Sequence, residues 1–137
     1  MTRQAYRAAL LHALDDPSRT PDAVAYHPDG LLVVEDGHVA AFGAYADLAP
    51  TLGDMPIEAL PGRLITPGFV DAHVHYAQVD VMAAWGTQLL DWLHTHTFPA
   101  EQAFADRTHA DAVAQVFLDH LLANGTTSAL AFCTVHK

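Results

Sequence analysis

Lysine is nearly missing from this chain and cysteine occurs once. A single cysteine, Cys133, excludes an internal disulfide framework and suits a reducing compartment. It stands in the apolar run SALAFC, which predicts a small buried side chain. Long hydrophobic runs are missing too: none approaches the roughly 20 residues that a membrane-spanning helix needs. The opening MTRQAYRAALLHALDD does not read as a signal peptide, because His12 interrupts its apolar patch and an acidic pair follows without a small-residue cleavage site. The expectation is a cytoplasmic protein with no membrane partner. Positive charge is scarce, with six Lys and Arg against sixteen Asp and Glu and a formal charge of −10. That balance argues against a nucleic-acid partner, since affinity for phosphate backbones rests mainly on Lys and Arg.

What is present reads as globular: 51% of the 137 residues are hydrophobic and 16% charged, enough for one domain or pieces of two. Residues 22–43 read as strands, with LLVVE and HVAAFG flanking Asp36-Gly37, a strong hairpin signal. His27-Pro28-Asp29-Gly30 reads as another turn, and residues 1–60 as a small, mostly β unit. After a turn at Pro61-Gly62, RLITPGFVDAHVH predicts a buried strand. An irregular stretch over 76–107 holds a helix around TQLLDWLHT and another starting near Pro99. Residues 108–123 predict the clearest helix, with an apolar stripe from Ala110, Val113, Ala114, Phe117, Leu118, Leu121 and Leu122. Thr108 is its expected N-cap and Gly125 its expected stop. TTSALAFCTV (126–135) then reads as a second buried strand, which makes a βαβ crossover and a parallel sheet. Two parallel strands are not a stable sheet alone. The chain is therefore expected to be the N-terminal part of a longer protein or to need a partner.

Chemistry concentrates in PGFVDAHVHYAQ, residues 67–78. On a strand, residues two apart share a face, so Asp71, His73 and His75 are expected to project together. Two imidazoles on a rigid strand suit zinc, which in catalytic sites keeps a position for water and lowers its pKa towards neutrality. A bare H-x-H is a weak signal, equally compatible with polar residues at a strand end, and a metal would need ligands beyond this pair. The second pair, His94 and His96, falls in a predicted helix where the two rings diverge, and is expected at the surface. His12, His27, His38, His109 and His120 are scattered and read as surface or capping residues.

PGFVDAHVH resembles the first barrel strand of the amidohydrolase superfamily, and the Asp-Gly hairpin followed by PG-x-LITPGF resembles its lead-in. HYAQ, GTQLLDWLHTHTFPAEQAFAD and NGTTSALAFCTVH together resemble the guanine deaminase branch, from about residue 30 to 137. The resemblance implies an α/β fold: the start of a (β/α)8 TIM-type barrel over 66–137, preceded over 1–65 by the N-terminal share of a β-sandwich. It implies zinc as cofactor, His73 and His75 as metal ligands, and Gln78 as a purine-binding residue. Asp71 would be a supporting hydrogen-bonding group. Trp85, Leu89, Leu90 and Trp92 would either wall a flat heterocycle or pack the loop. The remaining ligands and the proton-shuttling glutamate would lie on later strands. The implied reaction is hydrolytic deamination of guanine to xanthine and ammonia in purine metabolism, by a homodimer when full length, with the 137-residue piece alone inactive. Alternatives are an amidohydrolase acting on another aminated heterocycle or a cyclic amide, and a non-catalytic binding module.

Overall fold

A computed structural model describes residues 2–86 and 88–136, in two units, Met1–Pro67 and Gly68–Lys137. The first unit is a four-stranded sheet in the order β3-β2-β1-β4, formed by β1 (Arg3–Ala13), β2 (Val24–Glu35), β3 (His38–Ala44) and β4 (Ile57–Ile65). β2 runs antiparallel to β1 and β3, and β4 runs parallel to β1. Asp36 (φ 49°) and Gly37 (φ 82°) make the two-residue hairpin between Glu35 and His38. Both turn residues take positive φ, the conformation that Asp-Gly accepts most readily. One face of the sheet buries Ala5, Leu31 and Val33 with Leu52. Helix α1 (Tyr45–Leu48) and the following turn pack Tyr45, Leu48 and Ala49 against this core.

Two sequence expectations fail in this unit, and one strand lies where none was singled out. His27-Pro28-Asp29-Gly30 is not a turn, because β2 runs straight through it. Ala8 pairs with Gly30 and Leu10 with His27, so Pro28 and Asp29 bulge opposite Ala9. β3 pairs with β2 only from Gly30 onward, so proline's missing N–H costs no ladder bond on that side. Pro61-Gly62 is likewise a bulge inside β4, where Ala59 pairs with Arg7 and Leu64 with Ala9, and Gly62 takes φ 70°. β1 lies in RQAYRAALLHA, ahead of the stretch read as strands. Its alanines, leucines and arginines favour helix locally, but pairing with β2 on one side and β4 on the other overrides that preference.

The second unit begins with β5 (Phe69–His75), followed by a 3-10 turn over Tyr76–Val81. Helix α2 (Leu89–Trp92) runs into a π-helical turn (Leu93–Thr97) and α3 (Phe98–Gln102). Helix α4 (Arg107–Ala123) then leads to β6 (Thr126–Phe132), which lies parallel to β5. The core here is Ala77, Phe104 and Val113, with Tyr76, Val79 and Ala110 packed against it. The N-cap of α4 is Asp106 rather than Thr108: the Thr108 backbone N–H donates to Asp106 Oδ1 at 2.8 Å. A carboxylate placed ahead of the first turn reaches that orphan N–H, and Thr108 already lies inside the helix. The helix ends as expected, with Asn124 as C-cap and Gly125 at φ 79°. Of the apolar stripe, Val113 and Phe117 are buried, while Leu118 and Leu122 are 50% and 64% exposed.

β5 and β6 were expected to be buried, but most of their residues are exposed, and so is Cys133. The cause is the sheet itself: among the described residues each strand has only the other as partner. β6 also stops at Phe132, short of the expected 135. Among the described residues no helix is long and apolar enough to cross a membrane.

Candidate metal centre

Strand β5 delivers His73 and His75 at its C-terminal end with their Nε2 atoms 3.2 Å apart and ring centroids 5.3 Å apart. Two nitrogens each about 2.0–2.1 Å from one tetrahedral zinc stand roughly 3.3 Å from one another. The separation therefore fits a shared divalent ion, and the donor set suits zinc. The same 3.2 Å also accommodates a hydrogen bond between the two rings, with one Nε2 protonated and the other not.

Asp71 departs from the expectation of three side chains in a row. Asp71 pairs with Ala129 and Val74 with Ala131, so β5 carries a bulge at 72–73 that breaks the alternation. The Asp71 carboxylate turns back and accepts the His73 backbone N–H at 3.0 Å. That bond pins the bulge from which His73 projects. Among the described residues no third histidine, cysteine, aspartate or glutamate completes a metal-sized cluster with the pair.

Phe132, which the spacing of the sequence did not single out, is the pair's third neighbour. Its ring stacks on His75 at 4.9 Å with 15° between planes, and lies 4.7 Å from His73. Parallel register explains the placement, since His75 pairs with Phe132 and both strands end on the same side. Side chains gather at such strand ends in α/β sites. The one available signal was that Phe132 falls inside the second predicted strand, 126–135.

The histidines open on a recess of about 300 Å³ that is also lined by Gln78, Val81, Met82 and Trp92. Gln78 reaches it from the 3-10 turn after β5. Its carboxamide offers a donor and an acceptor, suited to a ligand edge that carries both. Of the four residues with an open reading, Trp92 alone lines the recess; Trp85, Leu89 and Leu90 are 86%, 71% and 69% exposed. The pair His94 and His96 does not converge. The His94 ring meets Phe98 edge-on, whereas His96 Nε2 contacts the Trp85 carbonyl at 3.1 Å.

Comparison with known proteins adds three relatives. The chain is 39% identical to the guanine deaminase of Escherichia coli (strain K12) over 139 aligned residues, covering 98% of this chain and 32% of that protein. The crystal structure of guanine deaminase from Bradyrhizobium japonicum superimposes with a TM-score of 0.91 at 38% identity, over 99% of this chain and 30% of that one. The guanine deaminase of C. acetobutylicum, solved with guanine in its active site, gives a TM-score of 0.76 at 27% identity, over 98% of this chain and 31% of that one. The chain thus spans about a third of the length of these relatives, and shares the α/β fold of the part it matches. The Amidohydrolase family profile matches residues 64–137, more than half of the chain and the part that holds the histidine pair, so the chain belongs to the amidohydrolase family.

Proposed function

We propose that this chain contributes the first two metal ligands and a purine-reading residue to a guanine deaminase that hydrolyses guanine to xanthine and ammonia. The observation that carries this reading is the convergence of His73 and His75 beside Gln78 in one recess. It gains weight from 39% identity to a guanine deaminase along nearly the whole chain. On this reading β5 and β6 are the first two strands of a (β/α)8 barrel, and residues 1–65 are the N-terminal share of a β-sandwich. The protein would act in the cytoplasm as a homodimer in purine metabolism.

Bound zinc would supply a nucleophile near neutral pH by lowering the pKa of water. The chain's own residues set the geometry around it. The Asp71 carboxylate holds the His73 backbone, and the Phe132 ring backs both imidazoles and limits their rotation. Guanine is flat and carries donors and acceptors on its edges, and the Gln78 carboxamide meets both. Trp92 gives the recess an apolar side without competing for those edges, because its Nε1–H donates to the Ala84 carbonyl at 3.0 Å.

The test is metal content and product analysis on the protein at its natural full length. One zinc per chain and conversion of guanine to xanthine are expected. Gln78→Ala should raise KM for guanine about tenfold with kcat little changed, the signature of lost ground-state binding. Turnover of adenine, cytosine or an s-triazine in preference to guanine would keep the hydrolase and reject the substrate. Absence of stoichiometric metal would reject the hydrolase.

A further inference from the structure

We infer that His96, which lies outside the lining of the recess, is a positioning residue for its Trp92 wall. Four features meet on the short segment Ala83–Gly86. Ala83 takes φ +61°, a left-handed conformation that a residue with a Cβ adopts only when its surroundings impose it. The next carbonyl, that of Ala84, accepts the Trp92 Nε1–H at 3.0 Å. The carbonyl after that, of Trp85, is 3.1 Å from His96 Nε2. A carbonyl can only accept, so Nε2 carries the proton in this contact. Finally, a Cβ on Gly86 would collide with Trp92 Cδ1 and stand 2.9 Å from its Cβ and Cγ, so the glycine backbone lies directly against the indole.

Consecutive carbonyls are thus held by side chains four residues apart on one helical segment, the spacing at which helix neighbours meet. His96 belongs to the π-helical turn Leu93–Thr97, a geometry frequent at functional sites. Thr97, 1% exposed, roots that turn in the interior. The segment cannot slide without giving up one of these holds, and the indole cannot turn without striking Gly86. His96 therefore acts through the 84–86 backbone on Trp92, and through Trp92 on the width of the cleft beside His73 and His75. The ligand that benefits is a planar heteroaromatic, held by an apolar wall on one side and read at its edge by Gln78. The activity arm of the test rests on the deaminase reading; the spectroscopic arm does not.

His96→Ala in the full-length protein loses the Nε2 donor and frees the Trp85 carbonyl. KM for guanine should rise about tenfold, with kcat and zinc content within about twofold of wild type. His96→Gln, whose amide can donate to the same carbonyl, should recover most of the loss. Gly86→Ala should act in the same direction by displacing the indole. Subtracting the near-UV circular dichroism of a Trp92→Phe variant isolates the bands of Trp92 in the full-length protein. Its fixed-indole bands should weaken in His96→Ala and return in His96→Gln. Unchanged bands in His96→Ala would overturn the inference whatever the activity. So would loss of zinc and kcat together with no rescue by glutamine, since that describes damage to the fold. Should guanine not be a substrate at all, the deaminase reading fails and the indole bands still decide the clamp.

Discussion

Arg7 and Asp29 are joined more closely than an exposed pair needs to be. Nε meets Oδ1 and Nη2 meets Oδ2, both at 2.7 Å, and the guanidinium lies 3.6 Å over the Tyr45 ring. Asp29 sits in the bulge of β2, so this two-pronged bond ties the bulge to the strand it departs from. The Arg7 hydrogen bonds hold the Asp29 carboxyl below its ordinary value of 3.8, against a smaller opposing push from desolvation. A carboxyl with a depressed pKa adds stability above its unfolded value and loses it as pH falls through the folded one. The contribution is therefore present at neutral pH and begins to be lost below about pH 4, as the pH falls towards the folded value. Exposure of 41% and 54% of the two side chains leaves it screened and modest. Asp29→Asn should lower the urea midpoint slightly at pH 7, and the difference from wild type should shrink as the pH falls below about 4. A difference that does not shrink as the carboxyl is titrated would show that the bulge is held by something other than the charge. Arg7→Lys should not restore the wild-type midpoint, because an ammonium lacks the planar fork.

The start of α4 separates two similar candidates for one job. Thr108 has the right composition for a cap, yet the Asp106 carboxylate accepts the Thr108 N–H and Thr108 lies within the first turn. Asp106→Ala should cost about 1 kcal/mol in urea unfolding, and Thr108→Ala well under half of that. Equal losses would mean that the first turn is held by both. The miss is informative about what a sequence carries. The body of α4 was legible because its apolar stripe repeats at three and four, and the hairpin because Asp36-Gly37 suits positive φ at both positions. The bulges at Pro28-Asp29 and Pro61-Gly62 were not, since the local signals are those of a turn and only the neighbouring strands decide otherwise. At the site, the meeting of His73 with His75 was legible from their spacing on one strand, but the bulge at 72–73 that takes Asp71 out of the row was not. Phe132 comes from the parallel register of a strand more than fifty residues later, and the hold of His96 on the Trp85 carbonyl comes from tertiary packing. Neither has a local signature.

On the proposed reading, the 137 residues by themselves are expected to be inactive. A catalytic zinc site ordinarily has three protein ligands and an open position, and the proposed pair supplies two. Loss of even one ligand weakens a site severely, so the 137-residue chain expressed by itself should hold no stoichiometric zinc at micromolar metal and should not deaminate guanine. The sheet points the same way. β5 and β6 leave Phe69, Val70 and Leu130 exposed at 64%, 73% and 59%, and each strand has one free edge among the described residues. Unpaired edges with apolar faces recruit other strands. The isolated chain should therefore associate as its concentration rises and bind a hydrophobic dye, whereas the protein at full length should do neither beyond a defined dimer. Light scattering on both forms, with zinc measured in the same fractions, checks this. A monodisperse 137-residue chain that binds zinc one to one and turns guanine over would mean that two imidazoles and a two-stranded sheet suffice, and the assignment of β5 and β6 to an unfinished barrel would fall with it.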